Sequence, residues 1–224
     1  MNSKFYSLED NEFGMNYGVF CPDEYKELPL LVYLHGAGER GEVFEHLYRH
    51  AIPKLINDGR EIPAIVLCPQ CPRWAVWDNI VDRVKGIIDK VAEEFGVEKD
   101  RISITGSSMG GYGTWSMGLA YPNFFSAIGP VAGGGMAWRA PRLKTTPVYA
   151  AHGECDVSVL PVYSELMVDK VNKSGGSAKY LVLEGYGHND GINYTYRETD
   201  LIDWLLEQRR INFDYVPDVC EEYF

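Results

Sequence analysis

Long apolar runs are missing from this sequence. No stretch reaches the roughly 20 residues that a membrane-spanning helix needs. The first ten residues, polar and acidic, lack the basic start and apolar run of a secretory signal. Both absences predict a cytoplasmic protein with no membrane partner. Basic charge is scarce as well: 21 Lys and Arg face 32 Asp and Glu, a formal net charge of -11. Such a surface repels phosphate backbones, which predicts no nucleic-acid partner and leaves room only for a local basic patch. Cysteine is sparse and odd in number, at Cys21, Cys68, Cys71, Cys155 and Cys220, so no disulfide framework is implied. Cys68 and Cys71 form a C-x-x-C, but each precedes a proline and the pair follows an apolar run. A redox pair opens a helix and a zinc site needs a second ligand pair. These thiols read as reduced and structural, and no metal is expected.

Repeats, low-complexity tracts and interdomain linkers are also absent. The 224 residues, 46% hydrophobic, fit one domain over 1–224, with a core from about 14 to 210 and a C-terminal tail over 211–224. Short apolar runs at Leu30–Leu34, Ala64–Leu67, Ile102–Thr105, Ala127–Val131, Val148–Ala151 and Tyr180–Leu183 read as buried strands, with Met15–Phe20 as an edge strand before them. Between them, Ile80, Val84, Ile87, Ile88, Val91 and Phe95 recur at helical spacing, as do Tyr163, Leu166, Met167 and Val171. Leu201, Trp204 and Leu205 mark a last helix, with Arg209 and Arg210 suited to its C-terminal end. Alternating strands and helices predict a mostly parallel sheet covered on both faces, with ligands bound beyond the carboxyl ends of its strands.

Chemistry is concentrated at that edge. Gly106-Ser107-Ser108-Met109-Gly110 is a G-x-S-x-G pentapeptide between the strand RISIT and a helical stretch, the setting of a nucleophile elbow. A serine hydroxyl needs a base. His46 and His50 fall on a predicted helix at the opposite end of the architecture, and His35 and His152 end strands in H-G pairs that fix turns. His188, in the loop after the last strand, remains as the base. Asp156, following the strand PVYAAHG, completes the order Ser, Asp, His, with Glu154 and Asp190 as competitors. The oxyanion donors are expected at the Met109 amide and at Ala37, or alternatively Gly36, in the loop after LLVYL. Trp77 and Trp138 either wall a substrate site or pack internally, and Gln70 either orients a substrate or braces the oxyanion loop.

LHGAGERG, PQCP with a tryptophan after it, RISITGSSMGGYGTW, HGECD and a final GH occur in that order. Together, from about Tyr17 to Arg210, they resemble the bacterial serine esterases of the polyhydroxybutyrate-depolymerase and feruloyl-esterase-like group. The resemblance implies an α/β-hydrolase fold and an acyl-enzyme mechanism without a cofactor, on acetyl, feruloyl or other short-chain esters, some of them carbohydrate-linked. Only AGGGMAWRAPRLKTTP separates the strand ending at Val131 from the next, too little for a cap domain. The site should be open, suiting small acyl groups. A serine peptidase of the same fold, or a non-catalytic ligand-binding member, is the alternative.

Overall fold

The computed structural model describes residues 1–9 and 11–214. Cys220, and the expected tail beyond residue 214, lie outside the described residues. Eight strands form one sheet: β1 (Asn2–Tyr6), β2 (Asn16–Cys21), β3 (Leu30–Leu34), β4 (Ile65–Gln70), β5 (Ile102–Ser107), β6 (Ala127–Val131), β7 (Val148–Gly153) and β8 (Ala178–Leu183). Their spatial order is β1-β2-β4-β3-β5-β6-β7-β8, parallel from β4 to β8, with β2 antiparallel to both of its neighbours. The expected mostly parallel sheet is therefore present. β2, however, is not the edge. β1 pairs with it from Asn2↔Cys21 to Tyr6↔Tyr17, so the sheet begins well before residue 14. β1 is polar and largely exposed, and carries no apolar alternation that would announce it.

The two faces follow from strand periodicity. Leu30, Val32 and Leu34 of β3 point to one core, while Leu31 and Tyr33 point to the other. The first core is closed by helices α2 (Val81–Phe95), α3 (Met109–Ala120) and α4 (Val162–Lys173). The second is closed by α1 (Ala51–Asn57), α5 (His188–Glu198) and α6 (Leu201–Glu207). The spacing of Val84, Ile87, Ile88 and Val91 puts all four on the buried face of α2, and Gly96 ends that helix in the left-handed region, with φ 66°.

α6 stops at Glu207, so Arg209 and Arg210 do not cap it as expected. Arg209 instead pairs with Asp100 at 2.7 Å and Glu98 at 3.0 Å. Arg210 is buried and donates to the carbonyls of Phe125 and Pro122, tying the segment after α6 to the turn before β6. Between β6 and β7 there is only a short 3-10 stretch, Ala137–Leu143, and no cap domain covers the strand ends among the described residues.

Candidate active site

Ser108 stands between β5 and α3 with φ 56° and ψ -119°, a conformation that side chains avoid. The strain, of order 1–3 kcal/mol, persists because the chain must reverse within one residue. The residues two positions to either side of it cannot be larger than glycine. A Cβ at Gly110 would collide with the Leu34 carbonyl, and one at Gly106 with the backbone of Gly110. The hydroxyl is thus lifted above the sheet at the mouth of α3. There the Met109 amide, the first of the helix, has no carbonyl partner within it.

His188 is the first residue of α5 and arrives from the β8 loop. Its Nε2 lies 2.9 Å from Ser108 Oγ, and its Nδ1 lies 2.6 Å from Asp156 Oδ2. A carboxylate only accepts, so Nδ1 carries the proton and Nε2 presents its lone pair to the serine. The competing acids are engaged elsewhere: Glu154 Oε2 accepts the Gly185 amide at 3.0 Å, and Asp190 Oδ2 accepts the Gly187 amide at 3.2 Å, at the start of α5.

Asp156 is buried, and four donors saturate it. Oδ1 accepts the amides of Ser158 at 2.8 Å and Val159 at 2.9 Å. Oδ2 faces His188 and also His152 Nε2, at 3.2 Å. Burial alone would raise this carboxyl. The hydrogen bonds from His188 and the Val159 and Ser158 amides outweigh it, and the group is held below its ordinary value. His152 has more to do than fix a turn. Its Nε2 meets only acceptors, Asp156 Oδ2 and the Val159 carbonyl at 2.9 Å, so that nitrogen bears a proton in every state; its Nδ1 rests on Ser164 Oγ at 2.8 Å. Burial lowers the pKa of His152.

The loop after β3 forms the facing wall. Gly36, Ala37 and Gly38 line a cavity of about 240 Å³ with Ser108 and His188. His35 anchors this loop: Nε2 accepts the Cys71 amide at 2.9 Å, which leaves Nδ1–H to donate to the Gly36 carbonyl at 2.6 Å. Burial pushes its pKa down to about 4, against the pull of that carbonyl, so the ring is neutral near pH 7.

Gln70 is fully buried and does not line the Ser108 cavity. It donates to the carbonyls of Glu39 and Val43 and accepts from Asn16, bracing this same loop. Trp77 is not a substrate wall. It is 1% exposed, its Nε1–H bonds to the His35 carbonyl at 2.9 Å, and its ring packs against Gly113. Trp138 is 57% exposed and lies outside the lining of the Ser108 cavity. Cys68 and Cys71 are free, and burial pushes both thiols up.

Asn189 and Ile192 of α5 also line the cavity, and so do two titratable residues that the sequence pattern does not announce. His50 is not at the far end of the molecule; a 3-10 stretch, Phe44–Arg49, folds it back against the site. Glu39 also lines the cavity and is buried, with Oε1 3.6 Å from His50; burial raises its pKa, opposed by His50. Its place in HGAGERG, four residues after His35, was the available signal.

No family model matches the chain. Among solved structures it is similar to a thermostable esterase, with 30% identity and a TM-score of 0.79 over 93% of this chain and 63% of that one. It also superimposes on the feruloyl esterase module from Clostridium thermocellum complexed with sinapinate. There the identity is 16% and the TM-score 0.71, over 96% of this chain and 90% of that module.

The chain has the α/β-hydrolase fold.

A 2-hydroxy-6-oxononadienedioate/2-hydroxy-6-oxononatrienedioate hydrolase from Pseudomonas putida is 29% identical over 142 residues, 59% of this chain and 45% of that protein. The chain thus spans about half the length of the curated relatives it matches. Within the α/β-hydrolase fold, the serine–histidine–aspartate contacts above stand at the carboxyl ends of β5, β7 and β8, the edge where ligands bind in open sheets.

Proposed function

We propose that the protein is a serine carboxylesterase that hydrolyses short-chain acyl esters through an acyl-enzyme on Ser108. The observation that carries this reading is the continuous hydrogen-bonded line from Ser108 Oγ through both His188 nitrogens to Asp156. In the proposed cycle Ser108 attacks the ester carbonyl as His188 Nε2 takes its proton. Asp156 stabilises the imidazolium that results. The oxyanion is received by the Met109 amide and by the Ala37 amide in the loop braced by His35 and Gln70. His188 then protonates the leaving alcohol, and water repeats the sequence on the acyl-enzyme. No step calls for a metal or an organic cofactor.

Size argues for small acyl groups. The cavity beside Ser108, about 240 Å³, is below the roughly 300–1,000 Å³ of typical ligand pockets. Among the described residues no cap extends it into an apolar tunnel. The uncovered strand ends leave room for a large or carbohydrate-linked alcohol. A feruloyl preference loses one support, since Trp77 is buried in the core. The test is a p-nitrophenyl series from acetate to octanoate, with ferulate alongside. Acetate or butyrate should be fastest, with turnover falling as the chain lengthens. Fastest turnover on octanoate would overturn the short-acyl assignment.

A further inference from the structure

Ala37 and Gly38 line two cavities. One holds Ser108; the other is a neighbouring hollow of about 330 Å³ whose remaining walls are Arg40, His46, Arg49 and Arg73. No acidic side chain lines the second hollow, in a chain with 32 Asp and Glu against 21 Lys and Arg. Two of its arginines are fixed by backbone carbonyls alone. Arg40 Nε donates to Ala37 at 3.1 Å and its Nη1 to Ala75 at 3.4 Å, while Arg49 Nη1 donates to Gly38 at 3.1 Å. Arg73 is exposed and lies along Gly41. Among the described residues, no carboxylate pairs with any of the three, whereas Arg197 and Arg209 both have acidic partners. Glu39, next to Arg40 in sequence, lies buried in the wall of the other cavity beside His50, and its carboxyl also feels the charge of Arg49. Three arginines therefore line one hollow with most of their N–H donors free, and like charges gathered in this way favour an anion between them.

We propose that this hollow is an anion subsite that binds a carboxylate carried by the ester substrate. The proposal rests on the serine-esterase reading and narrows it to esters with an acidic group. A carboxylate matches the planar two-donor fork of arginine, which favours bidentate recognition. The hollow is separated from Ser108 only by the Ala37–Gly38 loop, so a molecule anchored there would lie with its ester bond at the serine. The basic walls would also offset the repulsion that a chain of net charge -11 exerts on an anionic substrate.

Two matched ester pairs test the subsite. Mono-4-nitrophenyl glutarate against 4-nitrophenyl valerate places the charge on the acyl side. 4-Acetoxybenzoate against its methyl ester places it on the alcohol side. In one pair the wild type should favour the anionic member by about tenfold in kcat/KM at low salt, and the preference should shrink in 1 M NaCl. In Arg49→Gln/Arg73→Gln the anionic-to-neutral ratio should fall to about one, and in Arg73→Gln alone, at an exposed side chain, it should fall part of the way. The pair that responds identifies the side of the ester that enters the hollow. No anionic preference in either pair, or a preference untouched by the double variant, would overturn the proposal. Calorimetric titration with glutarate separates this outcome from failure of the esterase reading, because it needs no turnover. Glutarate binding that the double variant loses would uphold the subsite even if no ester were cleaved. Absent binding with normal hydrolysis of neutral esters would remove the subsite and leave the esterase.

Discussion

His152 Nε2 lies 3.2 Å from Asp156 Oδ2, the same oxygen that receives the His188 proton at 2.6 Å. The acid of the site is thus held from two directions. His152 does not approach the reacting atoms, so it is a positioning residue. It helps to aim the carboxylate while His188 gains and loses charge. His152→Asn should lower kcat about 10- to 100-fold with KM little changed, because a misaimed acid costs transition-state stabilisation and not binding. The acid limb of the pH–rate profile should move with it. A purely structural loss would lower the active fraction and leave the profile in place.

Asp156→Asn should be far more costly. The amide would offer His188 a donor or a neutral acceptor, and the tautomer needed at Nε2 would be lost; a fall of about 10⁴ in kcat is expected. Glu154→Gln, changing a group that holds only the Gly185 amide, should retain most activity. Steady-state kinetics on one acetate ester separates the two acids.

His35 sets an acid limit to stability. Its pKa falls from an ordinary 6.5 to about 4 on burial, so the unfolded chain takes up a proton that the folded chain refuses. Stability is complete above pH 6.5 and is lost as pH falls toward 4, by about 3 kcal/mol. Urea unfolding across that window should show the slope, and His35→Gln should flatten it even where the variant is less stable overall. Asp156, its carboxyl depressed, adds its own loss at lower pH, as it becomes protonated in the folded state.

The two tryptophans should behave oppositely. Trp77→Phe removes a buried hydrogen bond and leaves a gap, and should destabilise by about 1–3 kcal/mol with the ferulate-to-acetate ratio unchanged. Trp138→Ala, on the surface, should cost under about 0.5 kcal/mol. Thermal melts and the ester ratio together check both.

Much of this architecture was legible because the strands are short, apolar and punctuated. The buried strands from β3 to β7 announced themselves as runs, and their register then put Ser108, Asp156 and His188 on one sheet edge. What escaped was of another kind. β1 is polar, and only its partner β2 makes it a strand. His50 and Glu39 reach the cavity through irregular 3-10 turns, which leave no periodic trace. Trp77 was ambiguous because an aromatic ring packs a core and walls a pocket with the same chemistry; only the burial and the bond to His35 decide. Arg210 sits just past a helix end, but its partners lie about 65 to 90 residues away in sequence. Arg40, Arg49 and Arg73 line one hollow only after folding.

The most direct test of Ser108 as the nucleophile is p-nitrophenyl acetate hydrolysis by the wild type and by Ser108→Ala, with circular dichroism to verify the fold. The wild type should turn the ester over. The variant, correctly folded, should lose about three or more orders of magnitude in kcat/KM. A folded variant as active as the wild type would contradict the account.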